Sequence, residues 1–169
     1  MTYLRTAVLF GTLVVFLYLV NSNIITSENN LEDGTVAYFE LAPVDPRSLI
    51  QGDYMTLVYD IEQQARAINP EIRESGQVVL SLDERNVARF ERRYQAEEPL
   101  ADNEVVVNFY VRNGQVRIGV DSFLFQEGQA GAYQEARFAE VRIIDGGGVM
   151  LVDMADASLN SINPSDSNQ

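Results

Sequence analysis

The chain has 169 residues, of which 25 are acidic and 12 basic, so its formal net charge is −13. It contains no Cys and no His, and every basic residue is Arg. These absences exclude disulfides, thiol nucleophiles, Ser-His-Asp triads, the usual zinc and haem ligand sets, and sites that need a Lys amine. We therefore predict no cofactor and no metal site. The acidic balance also argues against nucleic acid, whose phosphates would be repelled.

The N-terminal segment 6–26 contains no charged side chain. As a helix its 21 positions would extend about 31 Å, enough to cross the hydrocarbon core of a bilayer. Arg5 precedes the segment and carboxylates follow it, which places the N-terminus in the cytoplasm. No small-x-small cleavage site follows the apolar core, so an uncleaved anchor is favoured over a cleaved signal peptide. We predict a protein of the cytoplasmic membrane, held in the lipid bilayer through residues 6–26.

Three regions follow from this reading. Residues 1–30 form the signal anchor and a short linker, and residues 31–157 form one extracytoplasmic domain. Residues 158–169 are polar, rich in Asn and Ser, and are predicted to be a disordered tail.

The first elements of the domain are a strand and a helix. Thr35–Leu41 is predicted as the first strand. Ile61–Ile68 is predicted as a helix, with Asp60 as its N-cap and Pro70 as its stop.

A pair of strands follows. Gln77–Leu82 alternates apolar side chains and predicts a strand, and a charged turn occupies Asp83–Asn86. The next strand carries four side chains that share one face: Ala88, Phe90, Arg92 and Tyr94.

The clearest local signal is Asn113-Gly114, the preferred type I′ hairpin turn. It joins Val105–Arg112 to Gln115–Phe125. The two-residue loop sets a register in which three apolar pairs share one face: Val111–Val116, Phe109–Ile118 and Val107–Val120. The opposite face carries polar side chains that suit solvent or a groove: Asn108, Tyr110, Arg117 and Asp121.

A second hairpin is predicted from Ala136–Ile144, through a turn at 145–148, to Val149–Met154. The whole pattern predicts a mainly β fold, an antiparallel barrel or sandwich of about seven or eight strands with one short helix. One N-terminal transmembrane helix precedes it.

A distinctive sequence motif lies between the first predicted strand and the predicted helix. Residues 43–61 read PVDPRSLIQGDYMTLVYDI, in which Gly52–Tyr59 fit Gly-Asp-Tyr-x-x-Leu-x-Tyr. This string, its Pro-Val-Asp-Pro-Arg leader, the hydrophobic N-terminus and Phe123–Gly128 resemble the bacterial GDYXXLXY protein family. The resemblance implies a membrane-anchored protein that accompanies a multi-pass membrane protein, and it implies no activity.

The leader can be interpreted as a rigid turn. Asp45 can cap a short turn that begins at Pro46 and that Gly52 ends with a positive φ. Asp53 then starts a strand, where its carboxylate accepts backbone N–H groups or pairs with Arg47.

The strand after Asp53 has a period of two. Leu57 and Tyr59 fall on the core face, and Tyr54 falls on the opposite face. In the structural interpretation the polar side chains of Asp45, Arg47 and Asp53 stabilise a turn. In the functional alternative they line a recognition surface together with Tyr54.

Glu127 lies in the Gly-rich stretch 126–131. The simple interpretation is a solvated carboxylate in a loop. The alternative pairs Glu127 with Asp53 as the two carboxylates that glycoside hydrolysis requires.

Two functional predictions follow. The first is a non-enzymatic, membrane-tethered β-domain that binds or stabilises a membrane-protein partner, which would expose an apolar or aromatic patch. The alternative is a carboxylate-based envelope hydrolase. It would need a pocket with two convergent carboxylates, one of them with a raised pKa.

Overall fold

The computed structural model describes residues 11–18, 34–42, 50–51, 54–68, 74–96 and 98–164. The chain divides into two compact units, Met1–Gly34 and Thr35–Gln169. In the first unit residues 11–18 are helical, and the remainder of the predicted anchor 6–26 lies outside the described residues. None of the helices in the described ranges has the length and apolarity needed to span a bilayer.

The second unit is built from antiparallel strands, as the alternation predicts. The described strands are β1 Thr35–Glu40, β2 Ile50–Gln51, β3 Tyr54–Thr56, β4 Gly76–Leu82, β5 Ala88–Arg93, β6 Glu104–Arg112, β7 Gln115–Ile118, β8 Ser122–Leu124, β9 Phe138–Ile144 and β10 Gly148–Ala155. They form three sheets, ordered β1-β9-β10, β2-β3-β8 and β5-β4-β6-β7. The arrangement is a half-barrel, whereas the sequence left a barrel and a sandwich open.

The helices are short. The α-helix α1 spans Asp60–Ile68, and 3-10 helices span Ala132–Glu135 and Asp145–Gly147. The α1 bounds confirm the predicted helix to within one residue. Acidic side chains lie in its first turn and Arg66 lies in its last turn, which complements the helix dipole.

The hairpin β6–β7 confirms the predicted turn and most of its register. Asn113 has a φ of 53° and Gly114 a φ of 74°, the two positive values that a type I′ turn requires. The register places Val111 opposite Val116 and Phe109 opposite Ile118.

The prediction of one continuous strand over Gln115–Phe125 is wrong in its second half. β7 ends at Ile118, so the predicted pair Val107–Val120 does not form. On the other side of β6, Val107 pairs with Val78 of β4. The chain turns at Gly119, whose φ is +73°, and continues into β8, which pairs with β3. Alternation alone could not reveal this break, because Val120 keeps the apolar period across it.

The strands β9 and β10 form the second predicted hairpin around the turn 145–147. After β10 the chain folds back: Ser161 bridges Ala155, and the Ile162 N–H donates to the Met154 carbonyl over 2.9 Å. The first residues of the predicted tail 158–169 therefore pack against the domain.

Helix α1 connects the two edge strands of the four-stranded sheet. Gln64 Oε1 accepts the N–H of Phe90 on β5 over 3.1 Å. Glu62 Oε1 accepts the N–H of Ile118 on β7 over 2.8 Å. β5 and β7 are the outermost strands in the order β5-β4-β6-β7. Two side chains on one short helix therefore satisfy backbone donors at both edges, a common way to protect sheet edges.

Candidate functional site

The described part of the named string separates into a buried face and an exposed face. Met55, Leu57 and Tyr59 are buried, whereas Tyr54 is 40% exposed. This burial follows the predicted period of two, although β3 itself covers only Tyr54–Thr56 and α1 begins at Asp60. Leu57 and Tyr59 therefore act in packing, and Tyr54 is the most exposed of the outward residues Tyr54, Thr56 and Val58.

Tyr59 is fixed by a polar and an aromatic contact. Its hydroxyl donates to the Val120 carbonyl over 2.7 Å, and its ring meets Phe39 edge-on at a centroid distance of 5.4 Å. Burial raises the pKa of the Tyr59 hydroxyl, and the nearby Glu62 and Asp121 carboxylates raise it further. The hydroxyl therefore stays protonated and serves as a hydrogen-bond donor.

Glu62 is a buried carboxyl group that the sequence reasoning missed. It is 6% exposed, and its Oε2 accepts from Arg117 Nη1 over 3.3 Å. Burial raises the pKa of the Glu62 carboxyl above its usual range, while the Ile118 N–H and Arg117 lower it by less. No sequence signal marks Glu62, because its partners lie 55 and 56 residues away along the chain.

A cleft of about 160 Å³ opens beside this group. It is lined by Val58, Glu62, Gln63, Arg66, Gln115, Val116 and Arg117. Glu62 is the one carboxyl group in this described lining, and both of its oxygens already accept bonds from the fold. The cleft therefore lacks the two convergent carboxylates that glycoside hydrolysis requires.

Four residues predicted for the site, namely Asp45, Arg47, Gly52 and Asp53, lie outside the described residues. Their contacts, and the separation of Asp53 from Glu127, are therefore not part of the described geometry. The two described residues just before Gly52, Ile50 and Gln51, form β2 and pair with Met55 and Tyr54.

Glu127 lies in an exposed turn, as the simple interpretation predicts. The turn is closed by a 3.1 Å bond from the Gln129 N–H to the Gln126 carbonyl, and Gly128 has a φ of +86°. In the part of the chain that the structure describes, no three acidic side chains converge to hold a metal ion.

The sheet β2-β3-β8 carries an exposed apolar pair. Tyr54 lies directly opposite Leu124, which is 75% exposed. Next to Leu124, Phe123 and Phe125 both contact the ring of Tyr133, at centroid distances of 5.0 and 5.3 Å. These ring contacts fix the position of the β8 backbone, so the Leu124 side chain stays at the surface.

Comparison with known proteins identifies a family. The sequence profile of the GDYXXLXY protein matches residues 16–154, which is most of the chain. No curated protein and no solved structure gives a significant match.

Proposed function

The chain belongs to the GDYXXLXY protein family, and from this premise we propose that it is a membrane-anchored, non-enzymatic binding module. Its partner is an integral membrane protein of the same bilayer. The docking face is the exposed side of the sheet β2-β3-β8, centred on Tyr54 and Leu124.

The Tyr54–Leu124 pair is the observation that carries this proposal. The exposed large apolar side chains of the described domain are Tyr54, Ile68, Leu100, Leu124 and Val152. Scattered apolar side chains at a surface are ordinary, but Tyr54 and Leu124 are direct cross-strand neighbours. Tyrosine is among the residue types that are enriched at the positions that dominate the binding energy of protein interfaces.

The N-terminal segment supports a partner in the membrane. Residues 6–26 carry no charge, and Arg5 lies on their N-terminal side. As an anchor they would hold the domain on the outer side of the cytoplasmic membrane. Tethering raises the effective concentration of the domain toward other proteins of that bilayer, so a modest docking face suffices for stable association.

The hydrolase alternative is less well supported. It rests on a carboxylate pair formed by Asp53 and Glu127, and Glu127 lies in an exposed turn. The buried carboxyl of Glu62 is bonded to Ile118 and Arg117, an arrangement that stabilises the fold, and the described lining of the cleft beside it contains no second carboxylate.

Site-specific photocross-linking on the full chain in native membranes tests the docking face. A photoreactive phenylalanine analogue replaces Leu124 in one variant and Val152, an exposed residue of β10, in the matched control. We expect an adduct with one integral membrane protein from position 124 and not from position 152. Identical adducts from both positions, or none from position 124, would overturn the proposal.

The anchor has a separate test. Carbonate extraction should leave the chain in the membrane fraction, and the mature N-terminus should precede residue 6. A mature chain that begins between residues 21 and 30 would show that the segment is a cleaved signal peptide.

A further inference from the structure

Strand β8 is an edge strand of the sheet β2-β3-β8. The register places Met55 opposite Phe123 and Thr56 opposite Ser122, and one position further the Leu57 N–H donates to the Asp121 carbonyl over 3.0 Å. Hydrogen-bonded and non-hydrogen-bonded pairs alternate in an antiparallel ladder. Met55–Phe123 is therefore a bonded pair, and Ser122 belongs to a non-bonded pair.

It follows that the N–H and C=O groups of Ser122 and Leu124 are directed away from β3. Within the described ranges no other backbone group bonds to them. Outward backbone groups at a sheet edge are a ready template for an additional strand. The exposed Leu124 side chain lies on the same short strand and can contact an apolar residue of such a strand.

On β3, β8 and the segments next to them, the charged side chains are acidic. Residues 54–61 and 118–136, which contain β3, β8 and the segments around them, include no Arg. They contain the carboxylates Asp60, Asp121, Glu127 and Glu135. Asp121 is paired with Arg112 at 3.8 Å, and Glu127 and Glu135 are exposed. A basic segment therefore complements this edge.

We propose that β8 binds an extended, basic segment of the partner membrane protein as an additional strand. This inference rests on the proposed function and names the recognition mode of the same face. Backbone hydrogen bonds to Ser122 and Leu124 would supply affinity, and the Leu124 side chain and the carboxylates would supply selectivity. A second copy of this chain is a poor occupant, because each copy carries a net charge of −13.

A proline substitution distinguishes binding through backbone hydrogen bonds from binding through surface charge alone. Leu124→Pro removes the outward N–H and leaves the β3–β8 hydrogen bonds in place, since that N–H does not enter them. Phe123 precedes it in extended conformation, which proline tolerates. Leu124→Ala is the matched control, because it shortens the side chain and keeps the N–H.

The probe is a fluorescein-labelled octapeptide that alternates Arg and Val, and its binding to the full chain in detergent micelles is followed by fluorescence anisotropy. We expect binding that weakens at raised salt, and a Leu124→Pro variant that binds at least about fivefold more weakly than Leu124→Ala. An octapeptide that alternates Glu and Val should not bind. Circular dichroism melting checks that both variants fold.

If Leu124→Pro does not fold, the wild-type chain still provides the test through a peptide N-methylated at every residue. That peptide keeps its charge and loses its backbone donors along both edges, so we expect its binding to be lost. Equal binding by Leu124→Pro and Leu124→Ala, full binding of the N-methylated peptide, or no binding of the Arg-Val peptide would each overturn strand addition. In those cases a specific cross-link from position 124 would still support the docking face, whereas loss of that cross-link would remove the proposed function itself.

Discussion

The Tyr59 hydroxyl donates a 2.7 Å hydrogen bond to the carbonyl oxygen of Val120, where the chain has just left β7 and turns toward β8. The Leu57 N–H makes a second bond to this segment, at the Asp121 carbonyl. The Leu and last Tyr of the family string thus hold the link between two sheets. A tyrosine suits this position because its ring fills the core against Phe39 while its hydroxyl satisfies a carbonyl.

Replacing Tyr59 by Phe should therefore destabilise the domain by about 1–2 kcal/mol, because the partly buried Val120 carbonyl loses its donor. Denaturant unfolding of the domain measures this cost. Tyr110→Phe, at a half-buried position of β6, is the control and should change stability by less than about 0.5 kcal/mol. Equal losses in the two variants would show that the Tyr59 hydroxyl contributes nothing specific.

The sequence predicted those parts of the fold whose signals are local. The β6–β7 turn was predictable because Asn-Gly both tolerates positive φ and fixes the register of its neighbours. The end of β7 at Ile118 was not, because it depends on Tyr59 and Leu57, which are distant in sequence. Strand pairing beyond a hairpin is decided by such long-range contacts.

In the candidate site, too, the residues with local sequence signals were predictable and those placed by long-range contacts were not. The inward Leu57 and Tyr59 and the outward Tyr54 follow from period-two alternation. Leu124 was not predicted as Tyr54's neighbour, because its strand was assigned to the β6–β7 hairpin. Glu62 was missed because a carboxylate in the first turn of a helix ordinarily faces solvent and interacts with the helix dipole.

Substitution of Gly114 isolates the cost of positive φ. A Cβ at this position would meet no atom within 4 Å, so steric contact contributes nothing. Gly114→Ala should cost about 1–2 kcal/mol, and Gly114→Val more, because a β-branched residue resists the left-handed region further. The matched control is Gly131→Ala, where φ is −62° and space is also open. Thermal melting should show a loss at Gly114 and no loss at Gly131.

Gly119 combines positive φ with a close neighbour. A Cβ here would lie 3.1 Å from Cγ1 of Val149, so Gly119→Ala should cost more than Gly114→Ala. Combining Gly119→Ala with Val149→Ala removes the contact and should recover part of the loss, with a coupling energy of about 0.5 kcal/mol or more. Strict additivity in unfolding experiments would show that backbone strain alone accounts for the cost.

Glu62 gives the domain a pH dependence of defined sign. Burial raises the pKa of its carboxyl above the ordinary value of 4.5, so the folded state holds the proton more tightly than the unfolded chain. Folding then takes up a proton between the two pKa values, and stability falls as pH rises through that interval. Glu62→Gln has no such proton and keeps a carbonyl to accept the Ile118 N–H. We therefore expect the stability of the wild type relative to Glu62→Gln to decrease as the pH rises from 4.5 toward the raised pKa of Glu62.

Urea unfolding of both proteins across this range measures the difference, with Glu127→Gln in the exposed turn as the control for a surface carboxylate. A relative stability that rises with pH would mean that Arg117 outweighs the desolvation of Glu62 and holds its pKa below the ordinary value. A flat difference at Glu62, equal to that at Glu127, would mean that the carboxyl is solvated in the folded protein and that α1 is not held to β7 through a buried bond.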